Sequence, residues 1–293
     1  MKRVGIVGVG LLGSAVAERL LGGGFEVTGY DTRPESVSAL APRGLKAARS
    51  VADCAAGADA VFTILPSLAI VEAVYLGPGG LLETAPRTAT LIQMSTISPE
   101  LSRKLGQAAA AKGFVFLDTP MSGTSQMVAR GDCVMYVGGD RAHADACRPL
   151  FDAIGRKTFH VGEVGQAMLA KLATNLLVGL HTAALAEALV LATKGGLDPA
   201  TLVPILRESA GTSRMVDIRG PMMAARAFAP QMKIDLFLKD FQLMLDAGLH
   251  LGAALPLTSL THQLTLATQA AGRGGEDLAA ILTTYERLAG MEG

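Results

Sequence analysis

The junction Arg3-Val4-Gly5-Ile6-Val7 running into Gly8-Val9-Gly10-Leu11-Leu12-Gly13 limits the fold more than any other stretch of the chain. The short apolar run reads as a strand buried on both faces, and the glycines that end it read as a turn into a helix over residues 14–21. A second strand, residues 26–30, ends in Asp31, at the distance expected for the acidic residue of a dinucleotide-binding βαβ unit. GxGxxG by itself is a weak pattern; strand, turn, helix and second strand together make it specific. Gly8 permits the turn, Gly10 puts no Cβ in the way of a pyrophosphate, and Gly13 lets helix and strand pack closely. Val9, Leu11 and Leu12 belong to the same turn, where unpaired N–H groups and the helix dipole favour an anion. Asp31 would accept hydrogen bonds from ribose hydroxyls and repel a 2′-phosphate, which favours NAD. Arg33 could instead meet that phosphate, so NADP stays open.

Strand-like runs recur at residues 60–65, 90–94, 114–117, 134–137 and 158–161, separated by helical or turn-rich segments. That alternation predicts an α/β chain with an N-terminal doubly wound Rossmann sheet. Ligands of such sheets collect beyond the carboxyl ends of the strands, which draws attention to Leu65-Pro66-Ser67, Ser95-Thr96 and residues 118–123, DTPMSG. After Gly162 strands give way to helices, with helical segments at residues 198–209, 237–249 and 277–289. The expected division is a dinucleotide-binding domain over 1–162 and an all-helical domain over 163–293, joined by a long buried helix.

That joining helix has no charged residue between Lys171 and Glu187, and glycines flank it at Gly165 and Gly195-Gly196. Lys171 and Asn175 are four apart and share one face. One reading is a lysine that reaches solvent beside an asparagine bonded to its own backbone. The other is a cleft in which the lysine exchanges a proton with a substrate oxygen while its neighbour holds the geometry.

The 26 basic and 26 acidic residues cancel, and no Lys/Arg run stands out, so nucleic acid and anionic membrane are poor partners. The three cysteines, Cys54, Cys133 and Cys147, include no CxxC, and the five histidines include no HxxxH pair, so no metal site is expected. The glycines break up the signal-peptide-like start, and no window of 18 uninterrupted apolar residues occurs; a cytoplasmic protein with reduced thiols is expected. His160, His181, His250 and His262 read as packing or surface residues. The apolar stretch over residues 257–272 suggests helices packed on a partner copy, as a homodimer or homotetramer.

Six motifs in order resemble the β-hydroxyacid dehydrogenase family over essentially the whole chain: GVGLLG at residues 8–13, ILP at 64–66, MSTISP at 94–99, DTPMSG at 118–123, GxxxxxKLxxN at 165–175 and LKD at 238–240. The resemblance implies Lys171 as acid/base assisted by Asn175, and Ser122 and Gly123 as the site for a substrate carboxylate. It further implies that Leu65, Pro66 and Thr96 line the cofactor path and that Lys239 reaches towards the nicotinamide. Without it, Ser122 would be a turn serine, Thr96 a capping hydroxyl and Lys239 a solvated helix lysine. Two lysines in one cleft would lower each other's pKa towards neutrality. Thr124 stands where the family usually has a second glycine, adding bulk and a hydroxyl beside the substrate. The activity implied is hydride transfer between NAD(P) and a small 3-hydroxy acid. The alternatives are an imine reductase on the same scaffold, or a dinucleotide-binding module without turnover; known relatives of the first commonly lack the lysine, and the fold can lose it in the second, whereas Lys171 is present here.

Overall fold

A computed structural model describes residues 1–291. Nine strands among them form one sheet: β1 (Arg3–Val7), β2 (Glu26–Tyr30), β3 (Lys46–Ala47), β4 (Ala60–Thr63), β5 (Thr90–Gln93), β6 (Val115–Asp118), β7 (Met121–Ser122), β8 (Val134–Gly138) and β9 (Lys157–Gly162). The order is β3-β2-β1-β4-β5-β6-β8-β7, with β9 paired to β8. Pairing is parallel from β3 to β6 and between β8 and β9, but antiparallel between β6 and β8 and between β7 and β8. The chain runs outward in opposite directions from β1 and β4, so the crevice beyond their carboxyl ends is the topological switch point.

Side-chain alternation shows why the sheet is covered on both faces. Val4, Ile6, Phe62 and Ile92 enter one core with Val16 and Leu20, whereas Val7, Val61 and Leu91 enter another with Tyr75, Leu105 and Phe116. The helices that matter for the site are α1 (Leu11–Gly22), α2 (Leu68–Leu76), α3 (Pro99–Ala111) and α4 (Ser125–Ala129). Ser67, Ser98 and Thr124 cap the last three, each side-chain oxygen accepting from a backbone N–H three residues on.

The chain divides into two compact units, Met1–Lys171 and Leu172 onward, so the division falls within one helix, α5 (Gln166–Lys194). At about 1.5 Å per residue, α5 spans roughly 43 Å. It is long and apolar enough to cross a membrane by length and composition. Ala186 and Leu189 are buried in the second unit's core, yet Leu177 and Leu191 are 50% and 75% exposed, so burial covers only part of its surface.

The second unit is helical: α6 (Pro199–Glu208), α7 (Arg214–Ala224), α8 (Ile234–Leu251), α9 (Pro256–Thr268) and α10 (Leu282–Leu288) follow. Arg219 Nε and Asp277 Oδ1 form a buried ion pair at 3.0 Å, and Asp277 Oδ2 also accepts from the N–H groups of Gln231 and Met232. A charge pair so enclosed is tolerable because nearby donors satisfy its oxygens. The expected helix at 277–289 begins instead as a short 3-10 turn, Leu278–Ile281, which Asp277 Oδ1 caps by accepting from Ala279 N–H, before α10. In α9 the buried residues are Thr258, Thr261, Thr265 and Thr268, and the leucines Leu257 and Leu260 face outward.

Candidate active site

The glycine turn is as tight as its sequence requires. Gly8 has φ +98°, and a Cβ there would be driven into the Ile64 carbonyl oxygen; a Cβ at Gly13 would meet the Gly8 carbonyl in the same way. A cradle that only glycine can line, opening α1 at the switch point, fits a dinucleotide pyrophosphate. Leu11, at the first position of α1, is 85% exposed beside it. Asp31 Oδ2 accepts from Val9 N–H at 2.9 Å, so the acidic residue at the end of β2 fixes the turn. Its Oδ1 accepts from Arg33 N–H at 2.9 Å and faces Arg33 Nε at 3.5 Å. Arg33 therefore lies against Asp31, with its guanidinium over Gly10.

The loops after β4 and β5 are tied together. Leu65 N–H donates to Ser95 Oγ at 2.8 Å, which places half-buried Leu65 and exposed Pro66 next to the MSTISP loop. Capping of α3 falls to Ser98, whose Oγ accepts from Leu101 N–H at 3.1 Å, so the N-cap role considered for Thr96 belongs two residues later.

The DTPMSG segment departs from an open loop. Met121 and Ser122 form β7, pairing with Met135 and Val134, so Ser122 sits on a strand and not in the turn it would occupy as an ordinary turn serine. Gly123 has φ +151°, a conformation that L side chains rarely adopt, and a Cβ there would press on the Cys133 side chain. Thr124 Oγ1 accepts from Met127 N–H at 3.3 Å; the hydroxyl expected beside the substrate thus serves α4 as its cap.

Asp118 begins this segment and is wholly buried. Its Oδ2 accepts from Gly165 N–H at 3.0 Å and from Met168 N–H at 3.3 Å, at the entrance of α5. Burial pushes its pKa from 3.8 up to about 6, against the backbone N–H groups, which favour the ionised form.

Lys171 follows in the second turn of α5 and is only 9% exposed, which sets aside the reading in which it reaches solvent. Asn175 is not bonded to its own backbone through the amide nitrogen: Nδ2 donates to Asp240 Oδ2 at 2.8 Å. The other oxygen of Asp240 faces Lys239 Nζ at 3.0 Å. Within the second unit, Asn175, Asp240 and Lys239 are one cluster. In the sequence Asp240 stands out only as part of LKD; a further signal is that it is an acid on the apolar face of α8, among buried Phe237, Phe241 and Met244.

The remaining titratable groups read as structure. Burial raises the Cys54 thiol to about 12 and the Cys133 and Cys147 thiols to about 11, so none is a poised nucleophile. His160 bonds the Gly139 carbonyl, His250 that of Asp246, and His262 packs on Phe241, where burial lowers its pKa. No group of three His, Cys, Asp or Glu among the described residues could hold a metal ion.

A glycine cradle at the switch point of a mostly parallel sheet, followed by a buried lysine on a linking helix, defines a nicotinamide-dinucleotide oxidoreductase. The family models agree: that of the NAD-binding domain of 6-phosphogluconate dehydrogenase matches residues 3–162, and that of the NAD-binding domain of NADP-dependent 3-hydroxyisobutyrate dehydrogenase matches residues 165–285. The chain is 35% identical to a 3-hydroxyisobutyrate dehydrogenase of Pseudomonas aeruginosa, covering 97% of this chain and 99% of that protein. It is 34% identical to the 2-(hydroxymethyl)glutarate dehydrogenase of Eubacterium barkeri, covering 99% and 96%. The 3-hydroxyisobutyrate dehydrogenase of Mycobacterium tuberculosis, solved with L-serine, superposes with a TM-score of 0.89 at 30% identity, covering 97% and 99%. The chain belongs to the β-hydroxyacid dehydrogenase family and is an NAD(P)-dependent hydroxyacid oxidoreductase. An imine reductase of Streptomyces aurantiacus, at 21% identity, 96% and 99% coverage and a TM-score of 0.66, shares the fold alone.

Proposed function

We propose that this enzyme reversibly oxidises a small 3-hydroxy acid of the 3-hydroxyisobutyrate, L-serine or tartronate-semialdehyde type, with NAD preferred over NADP. The observation that carries the reading is Lys171, buried on α5 one turn before an asparagine whose amide is anchored on a buried carboxylate. When bound, the nicotinamide supplies the hydride acceptor or donor. The protein's residues handle the rest. In oxidation, neutral Lys171 Nζ takes the proton of the substrate hydroxyl; in reduction, its ammonium returns a proton to the carbonyl oxygen. Asp240 fixes the Asn175 amide, and so fixes what it presents on the face shared with Lys171. Ser122 Oγ and the Gly123 N–H receive the substrate carboxylate, on backbone held by the β7–β8 pairing. Thr124, turned to α4, limits the room beside them.

The NAD preference rests on Asp31, whose negative charge disfavours a 2′-phosphate beside Val9, with Arg33 paired to it. Exposed Leu249, Leu257 and Leu260 on the helical unit support a homodimer or homotetramer, and three free buried cysteines suit a reducing cytoplasm. The test is NADH absorbance with 3-hydroxyisobutyrate, L-serine and other 3-hydroxy acids, and with the matching semialdehydes, each with NAD and NADP. Turnover on at least one acid with an NAD preference is expected. Activity on cyclic imines and on no hydroxy acid would instead favour the imine reductase reading, and tight NADH binding without turnover a binding module.

A further inference from the structure

Asp118 is the one wholly buried acid among the described residues of the first unit. It ends β6, at the point where the sheet changes from parallel to antiparallel, and its only partner in β8 is Gly138. No Cβ is tolerated opposite it: one at Gly138 would be forced onto Asp118 Oδ1. Its Oδ2 alone accepts from two N–H groups at the start of α5. Gly165, whose carbonyl accepts the first bond of the helix from Leu169 N–H, is the N-cap, and Met168 is the third helical residue. These are the two donors that a local capping box satisfies with two side chains. Gln166 instead turns its side-chain oxygen back to Glu163 N–H, so the distant carboxylate does the capping.

Two consequences follow from its place in the chain. Four residues after Asp118 comes Ser122, and three residues after Met168 comes Lys171. One buried oxygen thus ties the root of the carboxylate-binding segment to the turn of helix that precedes the proton-transferring lysine. We propose that Asp118 is a positioning residue for the reaction, setting Lys171 relative to Ser122 through the two N–H bonds it accepts from the first turn of α5. The inference rests on the assignment of Lys171 as acid/base. Asp118 touches neither substrate nor cofactor in this account, and a helix start needs no wholly buried carboxylate to be capped, since the serines and threonine that begin α2, α3 and α4 are themselves sufficient. An ionisable group kept in so poorly solvated a place is costly to the fold, as expected of a residue retained for geometry.

The test uses the full-length enzyme and the hydroxy acid it turns over fastest. Asp118→Ala is expected to lower kcat by roughly 10–100-fold, because misplacement of a catalytic group by about 1 Å has effects of this order. NADH affinity, read by fluorescence titration, should stay within about twofold, since the glycine cradle is untouched. Asp118→Asn keeps an oxygen able to accept both N–H bonds and should recover most of the loss. Adding Asp118→Ala to Lys171→Ala should cost nothing further, because the group being positioned is gone. Should the alanine variant fail to fold, Asp118→Ser, too short to reach both donors, carries the same expectations. A folded Asp118→Ala enzyme with near-normal kcat, equal impairment of the alanine and asparagine variants, or a full additional loss on the Lys171→Ala background would each overturn the proposal. If Lys171→Ala itself turns over normally, the acid/base assignment has failed, which is a different result.

Discussion

The two units build their functional surfaces from different material. In the first, the decisive contacts run through the backbone: Val9 N–H to Asp31, Leu65 N–H to Ser95, Gly165 and Met168 N–H to Asp118, and the glycine turn itself. In the second, side chains meet side chains, as in Asn175–Asp240–Lys239 and Arg219–Asp277, with backbone N–H groups completing the shell of Asp277. A backbone surface needs residues that permit an approach, and glycine is the chief of these. A side-chain surface needs charges that find each other across helices far apart in sequence. The first kind tolerates almost no added volume; the second tolerates almost no loss of a partner.

That contrast can be broken or sharpened by experiment, and the largest effect belongs to the second unit. Arg219→Ala leaves the buried Asp277 side chain without its guanidinium, and should cost about 3–5 kcal/mol in chemical denaturation. A loss below about 1 kcal/mol would mean the hub is not held by side chains. Next comes the pH dependence of Asp118. Its pKa in the folded protein is raised from 3.8 to about 6, so folding binds its proton more tightly, and the associated stability is present below pH 4 and lost as pH rises through 6. Two pH units correspond to about 3 kcal/mol. Measured against Asp118→Asn, which does not titrate there, the wild type should gain about that much between pH 7 and pH 4, and a flat difference would contradict the burial of the charge.

In the first unit, Gly13→Ala should weaken NADH binding by up to about 100-fold, the equivalent of about 3 kcal/mol of overpacking at the cradle. Equal affinity would show that the turn can relax, contrary to the close approach of Gly8 and Gly13. Asp240→Asn should have the smallest effect of these, roughly 10-fold in kcat with NADH affinity unchanged, because the amide of Asn175 keeps an oxygen partner while Lys239 loses its counter-charge. A change in NADH affinity without a change in kcat would place the cluster's role elsewhere.

The same contrast explains what could be read in advance. The alternation of short apolar runs with helices made the doubly wound sheet legible, and Gly8 and Gly13 carry constraints that only close backbone contact imposes. Lys171 and Asn175 were legible through polarity on an apolar helix. Strand β7 was not, since two residues carry no periodicity and their pairing depends on Met135 and Val134 arriving from β8. In α9 the apolar composition suggested packing on a partner copy, but not which residues face which way: Thr258, Thr261, Thr265 and Thr268 are buried, while Leu257 and Leu260 face outward. Asp118 stood in a quoted motif, but its partners lie 47 and 50 residues away, and nothing local announces them. The capping role of Thr124 was closer to hand: its hydroxyl accepts from an N–H only three residues along.

The most direct trial of the central claim is Lys171→Ala, assayed for steady-state turnover of a hydroxy acid and titrated with NADH in the same preparation. A positioned acid/base predicts a fall in kcat of about 10²–10⁴-fold with NADH affinity nearly unchanged. Turnover within a few-fold of the wild type, in a variant that still binds NADH, would contradict the account of how this enzyme moves its proton.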